Sequence, residues 1–324
     1  MTARRASILG VGAVTPLGRD LPAIQEQLER PAPASSGVLR VNDDFLPGPA
    51  LSRRMRRADR FARMAAVAAS DCWIGAPSAC EGIARQRIGL IVSSGFGPHC
   101  RGFRFLDGIL DCGDAEALPT DFSHSVHGAA AAYITEVLEL RGPSLTTTDF
   151  EIGFEQAILL AQCWLEEGVC DRVLVGAVEE IGDVLIHCAS RLLGKEGFVP
   201  GEGAVFLMLG PADDGGFAHL EATALPADLD LMMLDVPAIP SPAVQKPAAV
   251  ARHTTTFSPY FGHTASSSAF QLLGGMLAIR AGRPLGRIIQ SASTADASSV
   301  AVDKAATFKP SCDPLASSLL LTKR

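Results

Sequence analysis

The sequence predicts an α/β fold, and three observations carry that prediction. Apolar runs rich in Val, Ile and Leu recur at 6–12, 87–93, 145–148, 172–176 and 204–209, and read as buried strands. Segments with helical spacing of apolar residues lie between them. Strands that alternate with helices build layered α/β architectures. In addition, 324 residues of which 48% are hydrophobic and 19% charged are ample for a large buried core.

In chain order, residues 6–12 form the first strand and 19–30 the first helix. A longer helix follows at 58–73, with Ala and Met on its buried face. The strand at 87–93 precedes a helix at 129–140. The strand at 145–148 runs into a tight turn. Beyond it Phe154, Ala157, Ile158, Ala161, Trp164 and Leu165 repeat at the i, i+3, i+4, i+7 spacing of a helix. Strands follow at 172–176 and 204–209, and a last helix at 264–281. Four prolines between Pro237 and Ala251 mark a linker or irregular loop.

Composition narrows the function. A net charge of −7 argues against a nucleic-acid partner. No apolar run reaches 18 residues, so no membrane span is expected. Gly10 to Pro16 interrupts the first apolar segment, so no signal peptide is expected. The eight cysteines (72, 80, 100, 112, 163, 170, 188 and 312) contain no Cys-x-x-Cys pair. That pattern predicts no metal site and no cofactor, in a reduced, cytoplasmic setting. Gly10-Val11-Gly12 lacks the third glycine of a dinucleotide loop, and no Gly-x-Ser-x-Gly elbow occurs.

Seven segments resemble, in order, those of the β-ketoacyl synthase family. Ile8 to Gly18 is similar to its opening Thr-Gly-x-Gly-x-Val-Thr-Pro-x-Gly strand and turn. Arg53-Arg54-Met55-Arg56-Arg57 with Phe61-Ala62 resembles Arg-Arg-Met-x-Arg-Phe. Arg87 to Gly95 resembles its third strand. Phe122 to Ala130 resembles a signature of synthase-like proteins from polyene-type gene clusters. Cys170 to Glu180 resembles the Gly-Gly-x-Glu strand, Gly197 to Ala204 the Gly-Phe-Val-x-Gly-Glu-Gly-Ala segment, and Phe261 to Ala265 the Gly-His segment. The resemblance implies a thiolase-like layered α/β/α/β/α fold with two related halves. Residues 1–210 would form the first half with cap insertions, and 211–324 a shortened second half.

The departures bear on chemistry. Gly142 to Gly153 resembles the nucleophile turn, but its cysteine position is Phe150. Phenylalanine cannot ionise or hold a thioester. The segment that would carry the first histidine reads Leu234 to Pro240, without one. The second histidine is present as His263, while the supporting lysine position is Ser258. The closing Gly-Phe-Gly-Gly loop is replaced by Pro310 to Leu321. No catalytic residue is therefore expected, only vestigial positions at Phe150, Ser258 and His263. Phe150 would plug the old pocket, and His263 would hold the turn before the last helix.

The family resemblance also assigns interface and docking candidates. In partner subunits of this kind, the segment equivalent to 102–110 crosses the dimer interface and closes the acyl tunnel. Phe103, Phe105, Ile109 and Leu110 are the candidates here, and their spacing also fits an ordinary helix face. His124 and His127 would order the same interface. Arg53, Arg54, Arg56 and Arg57, with Arg60, form a basic cluster suited to an acidic acyl carrier protein or to a solvated helix start. The resulting expectation is a chain length factor that pairs as a heterodimer with an active β-ketoacyl synthase in polyketide, aryl polyene or fatty-acid-like biosynthesis. The alternatives are a malonyl-carrier-protein decarboxylase or other altered acyl-processing enzyme, and a stand-alone module that binds acyl chains or carrier protein.

Overall fold

The computed structural model describes residues 5–32, 37–46, 48–192, 199–222, 228–234, 251–291, 301–308 and 318–324. Strands are β1 (Arg5–Val14), β2 (Ile88–Ser94), β3 (Ser144–Thr148), β4 (Arg172–Glu179), β5 (Gly203–Pro211), β6 (Ala218–Ala222), β7 (Leu229–Leu234), β8 (Ala251–Thr256), β9 (Arg287–Ser291), β10 (Lys304–Phe308) and β11 (Ser318–Lys323). Helices are α1 (Leu21–Leu28), α2 (Pro49–Arg54), α3 (Arg60–Gly75), α4 (His99–Cys112), α5 (Pro119–Ser125), α6 (Ala129–Leu138), α7 (Gly153–Glu166), α8 (Asp183–Leu192), α9 (Ser258–Phe261) and α10 (Ser267–Ala281).

One pairing pattern occurs twice. In the first half β3, β2 and β4 are parallel neighbours, and β5 and then β1 follow antiparallel. In the second half β8, β7 and β10 are parallel neighbours, and β11 and then β6 follow antiparallel. The halves join where Arg5 to Ile8 of β1 pair with Ala218 to Glu221 of β6. Strand β9 adds an antiparallel rim on β8. Among the described residues β3 has a neighbour on one side only, so its outer edge is open.

Strand alternation sorts side chains into layers. Val173, Val175, Ala177, Val205, Leu207 and Leu209 face a core shared with Leu231, Met233, Ala305, Leu319 and Leu321 of the second half. Helices α7 and α10 fill that inner layer: α7 packs on β2, β3 and β4, and α10 on β7, β10 and β11. Every residue of α10 from Ser267 to Ile279 is buried, as befits a helix enclosed on all sides. Leu174, Val178, Ala204, Phe206 and Met208 face outward, under α3 and α6. The small side chains of Ala65, Ala66, Ala68 and Ala69 let α3 lie close on β1, where a Cβ on Gly12 would sit 2.1 Å from the Ala68 carbonyl oxygen. Among the described residues, the outer face of the second half is a smaller cluster of Leu229, Met232, Leu234, Ala251 and Ala306.

The shortening has a definite place. β1 and β2 are separated by a stretch that holds three α-helices, whereas only residues 223–228 separate β6 from β7. So short a link has no room for a counterpart of α3. The expected linker ends one residue early, since Ala251 already belongs to β8. Its other residues from 237 onward, and the segment 235–240 that lacks the first histidine, lie outside the described residues, as do 309–317.

Candidate functional site

A strand–turn–helix corner from each half opens on one cavity. In the first half, β3 leaves its last residue at Thr148 and α7 starts at Gly153. Asp149 shapes the turn between them: its Oδ1 accepts from the amides of Glu151 (2.7 Å) and Ile152 (2.8 Å). That is an Asx-type turn ahead of the helix rather than the cap expected of an acidic residue at a helix start, since the N-cap position of α7 is Ile152 and takes no side-chain bond. The Phe150 side chain is thereby turned toward Phe96, with ring centroids 4.9 Å apart. In the second half, α9 ends at Phe261 and His263 precedes α10. His263 is tied to the neighbouring loop: its amide donates to the Val199 carbonyl (2.7 Å), and its own carbonyl accepts from the Gly201 amide (3.0 Å). Its Nδ1 lies 3.2 Å from the Val199 carbonyl oxygen, which can only accept, so Nδ1 carries the hydrogen.

The shared cavity measures about 520 Å³. Phe96, Phe150, Ile181, Leu185, His263 and Ala265 are among its lining residues, and its wall is mostly apolar. Phe150 does not fill it. The ring is 59% exposed and forms one side of the opening, because Phe96 holds it against the rim. Ser258 is absent from this wall among the described residues. Its hydroxyl is buried in a cluster with Thr256 and Gln271, which donates to it from Nε2 at 3.1 Å. Phe150 and His263 thus meet at one cavity, and Ser258 does not join them.

Glu179 and Glu180 line the cavity, and a third glutamate, Glu202, is enclosed next to lining residue Gly201. Glu179 ends β4 and accepts from the Gly95 amide (2.6 Å), the Ser266 hydroxyl (2.7 Å), the Ser94 hydroxyl (3.3 Å) and the Phe96 amide (3.4 Å). It therefore ties the first-half turn after β2 to the start of α10. Burial pushes its carboxyl above the ordinary range. Glu180 follows with its carboxyl raised to about 7, again by burial first. Glu202 is fully enclosed: Arg60 donates to its Oε1 at 2.6 and 3.1 Å, and so does the Val41 amide at 3.0 Å. None of these glutamates stood out in the sequence as a site residue. Their signal was an acidic residue at the end of an apolar strand, or between two glycines.

Burial disarms four of the thiols as nucleophiles. Cys72, Cys80, Cys100 and Cys170 all have thiols raised by burial, Cys100 to about 12. Cys188 on α8 lines the cavity.

The interface candidates lie on a hairpin formed by α4 and α5. No residue of α4 is fully buried. Phe103, Leu106 and Leu110 of α4, Phe122 of α5, and Leu118 and Val126 at its flanks are exposed. Phe105 stacks on Phe122 at 5.5 Å, and Ile109 is half-buried. His124 points back into the chain, 3.1 Å from the Tyr133 hydroxyl, whereas His127 is exposed. Leu145 on the open edge strand β3 is also exposed.

The arginine cluster divides. Arg53, Arg54, Arg56 and Arg57 are exposed and line a cavity of about 500 Å³ with Ser123, His124 and Tyr133. Arg54 also donates to the carbonyls of Glu136 (2.5 Å) and Val137 (3.1 Å), which holds α2 against the end of α6. Arg60 leaves the cluster altogether, since its guanidinium is committed to Glu202, Asp43 and the Val41 carbonyl.

Two sheet units of one pairing pattern, packed about buried helices α7 and α10, each contributing a corner to a common cavity, define a thiolase-like fold. The chain belongs to the β-ketoacyl synthase family: the model of the β-ketoacyl synthase N-terminal domain matches residues 36–215, more than half its length. Its fold matches a β-ketoacyl synthase from Burkholderia phymatum STM815, with a TM-score of 0.73 at 16% identity over 99% of both chains. It also matches the ishigamide ketosynthase/chain length factor, with a TM-score of 0.76 at 14% identity over 99% of both chains. A third match is a type II polyketide synthase ketosynthase in complex with its acyl-carrier protein and bound to the hexaketide, with a TM-score of 0.75 at 16% identity over the whole of both chains. Comparison with curated proteins finds no match. No helix among the described residues is long and apolar enough to cross a membrane.

Proposed function

We propose that this chain is a non-catalytic member of its family, which pairs with an active β-ketoacyl synthase and shapes that partner's acyl tunnel as a chain length factor. The carrying observation is Phe150 in the turn that leads into α7. A ring in that position has no lone pair to attack a thioester and no proton to give up. His263 lines the cavity from the second half with Thr264 and Ala265, and one polarising group without a nucleophile supplies no synthase turnover. The open edge of β3 and the apolar α4–α5 hairpin support a large, apolar contact with another protein. The exposed Arg53, Arg54, Arg56 and Arg57 suit an acidic carrier protein that visits the pair.

The test is co-expression with the intact, cysteine-bearing synthase encoded nearest to this chain, followed by mass measurement across a sizing column. A stable 1:1 complex is expected, and Leu145→Arg on β3 is expected to abolish it. In the complex, Phe105→Ala is expected to lengthen the products. Separate elution of the two proteins would overturn the proposal.

A second reading rests on the apolar cavity of about 520 Å³ itself, which has the size and lining to take an acyl chain within this subunit. Binding of a fatty-acyl probe by the isolated chain, lost in a Phe96→Ala, Phe150→Ala double variant, would favour it.

A further inference from the structure

Where α4 springs from the sheet, three side chains of metal-binding type converge from distant parts of the sequence. His99 and Cys100 begin α4, and Glu180 follows the end of β4. One ligand atom from each lies within 4.8 Å of the others. The Cys100 Sγ and His99 Nε2 are 3.6 Å apart. That separation matches the edge of a tetrahedron with Zn–S of about 2.3 Å and Zn–N of about 2.0 Å, which is roughly 3.6 Å.

The surroundings fit as well as the ligands. The His99 Nδ1 lies 3.3 Å from the Gly97 carbonyl oxygen and 3.9 Å from the Glu180 Oε1, which places the hydrogen on Nδ1 and leaves Nε2 as the electron-pair donor on the side of Cys100, so the Glu180 carboxylate must turn toward Nε2 to join the set. A histidine oriented through its second nitrogen in this way is the usual support of a metal ligand. Glu180 is held by the Cys100 amide, which donates to its Oε1 at 2.9 Å. The side chains of His99 and Glu180 are 8% and 4% exposed. Gly182 closes the group. A Cβ there would sit 2.5 Å from Cys100 Sγ and 3.0 Å from His99 Nε2, so any larger residue would occupy the space between the ligands. Cys100 and Glu180 also line a cavity of about 430 Å³ with Asp43, Asp59 and four arginines (Arg60, Arg63, Arg101 and Arg104), which gives room for a water beside the ligands.

We infer that His99, Cys100 and Glu180 form a binding site for a divalent transition metal of the zinc type. The nitrogen, sulfur and oxygen set favours zinc or cobalt over calcium or magnesium, which prefer oxygen alone. Binding releases the Cys100 proton to solvent and forms the metal–thiolate bond, and the Gly182 amide gives up its 3.1 Å hydrogen bond to Nε2. The ion then cross-links the base of the α4–α5 hairpin to the end of β4. The sequence carries no sign of this site because no Cys-x-x-Cys spacing exists: two ligands are adjacent and the third comes 80 residues later.

The experiment is titration of the chelator-stripped full chain with Co²⁺. One equivalent is expected to raise a thiolate-to-cobalt charge-transfer band together with the visible bands of tetrahedral cobalt, and Zn²⁺ should displace it. Cys100→Ser should abolish the charge-transfer band. Gly182→Ala retains all three ligands and should weaken binding at least tenfold by filling the space between them. In the unaltered chain, Zn²⁺ should protect Cys100 from alkylation while the exposed Cys112 and Cys188 continue to react. Absence of the band, its persistence in Cys100→Ser, or equal alkylation of Cys100 with and without Zn²⁺ would each overturn the inference.

Discussion

The two halves of this molecule share one strand-pairing pattern and differ in how their outer faces are built. The first half spends residues 15–87 between β1 and β2, and lays α3 over the sheet beside α6. The second half crosses from β6 to β7 in six residues, 223–228, and among its described residues the outer face is a small cluster around Met232 and Leu234. The lesson is that the shared inner core, with α7 and α10 between the strands, is the common element of the fold. Between β6 and β7 the second half has no room for the outer helices that the first half places between β1 and β2. The largest expected effect comes from attacking the outer layer where it is thick. Phe206→Ala empties a fully buried ring site under α3, and should destabilise the chain by about 4 kcal/mol in urea unfolding. Met232→Ala, at the corresponding face of the second half, should cost about 3 kcal/mol. A cost for Met232→Ala below about 1 kcal/mol would show that the second face closes around the missing atoms, and would sharpen the contrast.

A charged seam of the first half has no counterpart among the described residues of the second. Glu202 is buried and held by Arg60, whose guanidinium also reaches Asp43 and the Val41 carbonyl. These bonds fasten the cap around residues 41–43 and the start of α3 to the edge of β5. Arg60→Ala leaves the enclosed Glu202 carboxylate with only the more distant Arg40 (3.9 Å) and the amides of Val41 and Ile181, at an expected cost of about 3 kcal/mol. Arg60→Ala combined with Glu202→Gln should recover part of that loss, because the remaining buried group is no longer charged. If the single and double variants unfold at the same urea midpoint, the seam is a surface contact and the cap is held by packing alone.

Much of this was legible in the sequence, for physical reasons that can be named. The strands could be read because buried runs such as Val173 to Val178 carry no polar interruption. The α7 helix could be read because Phe154, Ala157, Ile158 and Ala161 hold the helical period into the core. Phe150 could be placed at the turn by the segments around it. What could not be read is what depends on contacts between distant segments. The identical pairing of the two halves leaves no short-range mark. The same is true of Glu179, which ties Gly95 to Ser266 across the two halves, and of Arg60, which looked like one more residue of a basic run. The position of Phe150 was legible but its posture was not: a plug was expected, and the ring lies against Phe96 at the rim because the Asp149 turn points it there.

The smallest effect, and the finest comparison, concerns the corresponding strands β3 and β8. In the first half β3 is an open edge whose Leu145 is exposed. In the second half β9 covers β8, and His253 of β8 is buried at 1% exposure with neither ring nitrogen hydrogen-bonded. Burial first, and then the charge of Arg252, lower its pKa below the ordinary 6.5, against a weaker opposing pull from Asp230. The sign follows directly. The folded chain keeps His253 neutral, whereas the unfolded chain takes up a proton below pH 6.5. This contribution to stability is therefore fully present above pH 6.5 and is lost as pH falls toward the folded-state pKa. A single proton sets the slope at no more than about 1.4 kcal/mol per pH unit. His253→Leu removes the titrating group and two unbonded nitrogens. The difference in urea midpoint between the variant and the unaltered chain should then be small at pH 8 and widen in the variant's favour at pH 5. A difference that stays constant between those pH values would mean that His253 takes up its proton as readily in the folded chain as in the unfolded one, and that β8 is as open to water as β3.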